Sequence, residues 1–384
     1  MKKFLAFLLA ALMVASLFAG CSPAEKADPK VLKIGMSGPL TGGAAVYGAA
    51  VKAGMEIAVA EINAAAGADG LKIEFQSQDD EHDNEKAVNA YNNLKDWGMQ
   101  ILAGAVTTGP CTAIAPMAVE DNIFMMTPSG SSEKIAKAGS NVYQMCFTDP
   151  NQGTSAATLV AEKKLGSKIG IIFDNSDDYS KGLMQGFKKK AAELKLNIVC
   201  ETSFTSDNKG DLSSQVQQCK DAGCDFVFLP FYATEAAQVL THANKIGYKP
   251  TFFGCDGMDG ILTIDGFDVK LAEGLAMMTP FNADATDAAT QSFVSQYKQK
   301  MNGEIPNQFA ADGYDVIKAI YKGCVEKGIN GTTSAADACA KLKEYFSSVK
   351  FDGLTGTGMT WDADGMISKI PAAVVVKDGK YVAL

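Results

Sequence analysis

The chain is poor in histidine. Its 384 residues contain two, His82 and His242. His242 falls in a segment of helical periodicity, away from any strand end, which argues against a Ser-His-Asp arrangement. No Gly-x-Ser-x-Gly turn occurs either. The stretch Gly38–Gly48 is rich in glycine but carries no Gly-Lys-Ser/Thr and no GxGxxG, so a nucleotide cradle is not expected. There is no basic stripe. The net charge is −9 and the pI near 4.9, the opposite of a nucleic-acid footprint. No CxxC pair is present, and Asp362-Ala-Asp-Gly365 lacks the calcium-loop pattern and reads as a hairpin turn. The run Asp79-Asp80-Glu81-His82-Asp83 offers metal-ligating side chains, yet reads as a strand-end loop whose Asp83 caps the next helix. The expectation is therefore no enzyme, no cofactor, no metal and no nucleic acid.

What is present is a folded chain with an unusual beginning. Hydrophobic residues make up 47% and charged residues 21%, which suits roughly two domains. Met1-Lys2-Lys3 is basic, and Phe4 to Ala19 is continuously apolar. Leu17-Phe18-Ala19-Gly20-Cys21 follows, and resembles a bacterial lipoprotein signal, with Phe18 where Leu is usual. The resemblance implies that residues 1–20 are removed and that Cys21 carries a lipid. Residues 21–30 then form a flexible linker. No later stretch is apolar enough for long enough to span a membrane. Eight further cysteines are scattered through the chain without metal-like spacing, as small buried core residues would be. Their pairing cannot be deduced from sequence.

Strand and helix patterns alternate from residue 31. Val31–Met36 reads as a strand. Ala44–Ala66 reads as a helix, with Val51, Met55, Ala58 and Ile62 on one face. Leu71–Ser77 and Asn84–Trp97 repeat the pair. A second series starts after Pro150, with strands at 169–173, 197–203, 226–229 and 251–254 and helices at 181–195, 212–221 and 234–246. Such alternation implies parallel sheets, here in two doubly wound α/β lobes with a cleft between them. The last third changes to helices at about 286–301, 308–327 and 334–347, then to short turn-rich strands.

The stretch Ile101–Ser132 is the candidate site. Two apolar runs, Ile101–Val106 and Ile123–Met126, each end in small hydroxylated residues. In an open α/β sheet, ligands bind at strand C-termini, and free N–H groups at a helix start favour an anion. Thr108, Gly130 and Ser131 are the expected inner contacts for a small carboxylate. Ser and Thr are also ordinary N-caps. Loops of the second series offer Tyr179, Tyr232 and Asp256 opposite them.

Residues 31–384 resemble the type I periplasmic-binding-protein family, in the branch that binds leucine, isoleucine, valine and related amino acids for ABC importers. The resemblance rests on Ile34-Gly-Met-Ser-Gly-Pro-Leu40, Asp79-Asp80 with Asp83 and Lys86, Thr127-Pro128, Asp149 with Gln152-Gly153, Tyr179 with Gly182, and Phe253-Gly-Cys-Asp-Gly257. It implies that Thr108, Ser131 and the backbone at Gly130 take a ligand carboxylate, and Asp256 its ammonium. Tyr179 and Tyr232 would close over the ligand, and Tyr47 would touch its side chain. Ser129-Gly130-Ser131 and Phe231 depart from the family's commoner residues, which leaves the side-chain preference open. The resemblance also implies three crossings between lobes, near 148–150, 279–281 and 350–354. The N-terminal lobe would hold 31–148 and 281–350, and the C-terminal lobe 149–280 and 351–384. The implied protein is a lipid-anchored, extracytoplasmic monomer that hands an amino acid to a membrane permease. The alternative is a sensing receptor of the same fold for an amide or other small polar solute.

Overall fold

A computed structural model describes residues 27–384. The leader, Cys21 and the first part of the linker lie outside the described residues. The first lobe opens with β1 (Val31–Gly38), α1 (Ala45–Ala66), β2 (Lys72–Asp79), α2 (Asn84–Trp97), β3 (Ile101–Leu102), α3 (Thr108–Glu120), β4 (Phe124–Thr127), α4 (Glu133–Ala136) and β5 (Val142–Gln144). Its strands form one parallel sheet in the order β2-β1-β3-β4-β5. Asp83 caps α2 through the Lys86 N–H. The apolar run at 101 gives a shorter strand than its length predicts. After Leu102 the chain leaves the ladder, and Gly104 turns it at φ 135°.

The second lobe holds α5 (Asp149–Lys163), β6 (Ile169–Asp174), α6 (Asp178–Glu193), β7 (Ile198–Phe204), α7 (Ser213–Asp221), β8 (Phe226–Leu229), α8 (Ala233–Lys245), β9 (Thr251–Gly254) and β10 (Ala276–Met278). Helix α5 is absent from the sequence reading. Its composition is weakly amphipathic, but Pro150 in its first turn is a start signal. The chain then returns to the first lobe as α9 (Ala288–Lys300), α10 (Gln308–Glu326) and α11 (Ala335–Phe346), followed by a hairpin of β11 (Phe351–Gly353) and β12 (Gly356–Met359). It ends as β13 (Ala373–Lys377) and β14 (Lys380–Ala383), added antiparallel to the second sheet. That sheet runs β14-β13-β10-β9-β8-β6-β7 and is otherwise parallel.

The last crossing lies later than the expected 350–354. Phe351, Met359, Trp361 and Ile367 are buried in the first lobe's core. Trp361 packs edge-on against Phe346 at 4.8 Å and donates its indole N–H to the Gln144 carbonyl. Large aromatic rings fill this core, so the hairpin stays with the first lobe and the chain crosses only between Ile367 and Ala373. Lys369 lies buried in that crossing, paired with Asp312 of α10 at 2.8 Å and donating to the Thr355 hydroxyl.

Helices α1 and α10 pack at backbone contact. A Cβ on Gly54 would sit 1.9 Å from the Ala310 carbonyl oxygen, and one on Gly313 would sit 2.6 Å from that of Val51. Only glycine permits this approach.

Candidate functional site

The loops after β3 and β4 are tied to each other before any ligand is considered. Thr127 ends β4 and donates to the Ala105 carbonyl at 2.7 Å, while accepting from the Gly130 N–H at 2.8 Å. Ser129 donates to the Val106 carbonyl. Ser131 N–H donates to Thr108 Oγ1 at 3.3 Å, which leaves the Thr108 hydroxyl proton free to donate elsewhere. Ser131 Oγ is buried and has no partner. Thr107 occupies the N-cap of α3 without capping it, because its hydroxyl pairs with His82 Nδ1 at 2.8 Å. The first N–H groups of α3 have no intrahelical acceptor. The result is a group of neighbouring donors at the start of a helix, whose positive end lies behind them.

Gly130 departs from its expected part. Its N–H goes to Thr127 and its carbonyl accepts from Gln144 Nε2 at 2.7 Å. Its importance is spatial: a Cβ there would lie 2.5 Å from Cys111 Sγ. Gly130 shapes the turn that presents Ser131, and offers no spare N–H.

The opposite wall comes from the second lobe. Asp256 follows β9, and its Oδ1 accepts from the Tyr179 hydroxyl at 2.6 Å and from the Gly257 N–H at 2.9 Å. Its own N–H donates to Gln152 Oε1 of α5. Tyr232 sits at the N-cap of α8, stacked on Tyr179 with centroids 4.9 Å apart, and within 5.2 Å of Tyr47. His82 meets the Tyr232 ring edge-on at 5.4 Å. Burial, then the positive charge of Lys209, pushes His82 down to about 4, so it is neutral near pH 7.

Tyr47 spans the two walls. From α1 of the first lobe its hydroxyl donates to the Gly257 carbonyl at 2.7 Å and accepts from the Ala233 N–H at 2.9 Å. Thr234 also reaches across, to the Gly43 carbonyl. The lobes are thus closed on each other. Thr108, Ser131, Tyr47, Tyr179 and Asp256 are all buried where they meet.

The charge balance of the closed site is uneven. Asp149 and Asp256 are both buried, and burial raises both carboxyls above their ordinary range. Asp149 lies beside Ser131, donating its N–H to the Ser131 carbonyl at 2.9 Å, and the nearby Ser131 hydroxyl opposes the rise of its carboxyl; the charges acting on it are other acids, Asp256, Asp177 and Glu133. Asp149 Oδ1 and Gln152 Nε2 have no partner. The chain contains no arginine, and among the described residues no lysine pairs with either acid. A buried acid at Asp256, across from the donors of Thr108 and Ser131, can hold a small molecule with one cationic and one anionic end. Asp149, Gln152 and His82 were not among the predicted site residues. The first two stand on the helix the periodicity did not reveal.

Comparison with known proteins agrees with this fold. The family model for periplasmic binding proteins matches residues 31–380. The Leu/Ile/Val-binding protein of Escherichia coli K12 is 27% identical over 357 residues, covering 91% of this chain and 92% of that protein. The branched-chain amino acid transporter substrate-binding protein LivJ of Streptococcus pneumoniae, solved with isoleucine, is 26% identical, with a TM-score of 0.83 over 92% of this chain and 98% of that one. A solute-binding protein of an ABC transporter from R. palustris, solved with benzoate, shares the fold at 21% identity and a TM-score of 0.80, over 92% of this chain and 95% of that one. The relatives are therefore extracytoplasmic solute-binding proteins, among them carriers of branched-chain amino acids. By the extent of the match and the agreement of both sheets, this chain belongs to the periplasmic-binding-protein family.

Proposed function

We propose that the protein binds a free aliphatic amino acid between its lobes and presents it to an ABC permease as an extracytoplasmic lipoprotein. The observation that carries this reading is Asp256 of the second lobe, buried with no basic partner, across from Thr108 and Ser131 of the first, with no cation at neighbouring Asp149 either. A zwitterion satisfies both ends at once. Asp256 takes the ammonium, Thr108 and Ser131 take the carboxylate, and Tyr47, Tyr179 and Tyr232 enclose the remainder. Charge-assisted hydrogen bonds contribute ~1.5–3 kcal/mol each, and a buried aliphatic side chain adds ~1.5–3 kcal/mol. Together these reach micromolar affinity, about −8 kcal/mol. Closure around the ligand supplies the shape a permease can read. Cys21 carries the anchor, and the protein works as a monomer with no cofactor.

A ligand without an amine, such as benzoate or a simple amide, leaves Asp256 buried with no cation to pair with. A thermal-shift screen separates these classes. Aliphatic amino acids should raise the melting point, since a ligand at about 100 times Kd adds ~2.7 kcal/mol. N-acetyl-leucine and benzoate should not. Stabilisation by benzoate or by N-acetyl-leucine, with none by the amino acids, would discard the reading. Anchoring is tested separately: Cys21→Ser should move the protein from the membrane fraction or leave its leader uncleaved.

A further inference from the structure

Three cysteines far apart in the chain meet in the second lobe. Cys200 comes from β7, the edge strand of the sheet, Cys219 from α7, and Cys224 from the turn that leads into β8. Their three Sγ atoms lie within 4.8 Å of one another, and Cys200 Sγ to Cys219 Sγ is 3.7 Å. Cys219 and Cys224 are buried and Cys200 is half-buried. None of them lies at the ligand cleft: Cys200 and Cys224 stand near the N-terminal ends of β7 and β8, whereas the cleft residue Asp256 follows the C-terminal end of β9.

Two features distinguish this group from cysteines that merely fill a core. The first is convergence. A core residue needs only apolar neighbours, yet here three sulfurs share one centre. Four sulfurs set tetrahedrally at ~2.3 Å from a zinc ion lie roughly 3.8 Å apart. The Cys200–Cys219 separation matches that edge, and is far longer than a disulfide's ~2.05 Å. The second feature is Gly170 of β6, whose Cβ would lie 3.0 Å from both Cys219 Sγ and Cys224 Sγ. Glycine at this strand position leaves the sulfurs room to adjust around a guest. The half-exposure of Cys200 leaves a route to solvent and a fourth position for water.

We infer that Cys200, Cys219 and Cys224 form a three-thiolate site for a soft d10 cation, of the Zn(II), Cd(II) or Cu(I) class. Thiolates suit such ions, and carboxylate-seeking ions such as magnesium are excluded by the donor set. The three thiols give up three protons to solvent as the ion enters. Burial and the neighbouring sulfurs hold Cys219 and Cys224 as protonated thiols before that exchange. Affinity should therefore rise with pH. The bound ion would fasten the edge strand β7 to α7 without altering the cleft.

The test is a Cd(II) titration of the reduced, desalted protein under argon. One equivalent should produce the ultraviolet thiolate-to-cadmium charge-transfer band. Cys219→Ser should abolish it and Cys200→Ser should weaken binding at least tenfold, while Cys324→Ser, at a buried cysteine outside the group, should leave it intact. Gly170→Ala should also weaken it, by crowding two sulfurs. Parallel titrations with Zn(II) against a chromogenic chelator and with Cu(I) against a competing ligand show which ion is preferred. Leucine binding by Cys200→Ser should match the parent, which keeps the result independent of the cleft reading. No charge-transfer band, a band indifferent to Cys219→Ser and Cys200→Ser, or a Cys200–Cys219 disulfide in protein isolated without reductant would each overturn the inference.

Discussion

Asp256 bears the largest share of the proposed recognition. It is buried, it accepts from Tyr179 and Gly257, and no basic side chain reaches it. Asp256→Asn keeps the shape and removes the charge. Breaking a buried ion pair typically costs ~3–5 kcal/mol, so amino acid affinity should fall by roughly two to four orders of magnitude. An N-acetylated ligand should lose little more in the variant than in the parent. Calorimetry on the four combinations gives a double-mutant cycle; a coupling near zero would remove Asp256 from ammonium binding. The residue scale also sets a pH dependence. Burial pushes the carboxyls of Asp80 and Asp259 up to about 6. In the unfolded chain both ionise near 3.8. Between those values the native state holds more protons than the unfolded one, so the contribution is complete at low pH and lost as pH rises through about 6. His82 acts the other way, because its folded value is depressed. It is one group against several, since Asp177 and Asp312 are also raised. The melting temperature of the ligand-free protein should thus climb as pH falls from 7 to 5, and Asp259→Asn should flatten the slope. A melting temperature that falls over this range in the parent would refute the assignment.

At the scale of elements, hydrophobic periodicity found what is amphipathic or continuously apolar. It placed Ala45–Ala66, Asn84–Trp97 and Gln308–Glu326 to within a residue or two, because each buries a long stripe. It did not find α5, where polar and small residues alternate without a stripe. That loss mattered for the site, since α5 carries Asp149 and Gln152. Asp256 and Tyr179 drew notice because each comes shortly after a continuously apolar strand, and the structure puts Tyr179 in the first turn of α6 and Asp256 just past β9. The tri-cysteine group was invisible for another cause: three elements supply one sulfur each, and no local spacing records that. Tyr47 gained a role that sequence could not give it. Its hydroxyl joins α1 to two loops of the other lobe. Tyr47→Phe removes both bonds, each worth ~0.5–1.5 kcal/mol. Ligand release should quicken about tenfold in stopped-flow measurements, with a smaller change in the association rate. An unaltered release rate would mean that the two bonds do not hold the closed form.

For the whole molecule, the close approach of α1 and α10 fixes more than the core of one lobe. Helix α10 begins at Gln308, whose N–H donates to Asp259 of the second lobe at 2.7 Å, and it carries Asp312, the partner of Lys369 in the last crossing. Both attachments lie on a single rigid rod, and Gly54 and Gly313 set the distance of that rod from α1. The pair of glycines therefore works as a gauge block. It sets where these two attachments stand relative to Tyr47, which rides on the neighbouring helix. Gly54→Ala should lower the melting temperature, because the Ala310 backbone cannot yield. In whatever fraction stays folded, it should also shift the angle at which the lobes meet, so that solution scattering with saturating ligand reports a wider molecule than the parent. An unchanged scattering profile in folded Gly54→Ala protein would show that the spacing of two helices inside one lobe does not govern how the pair of lobes shuts.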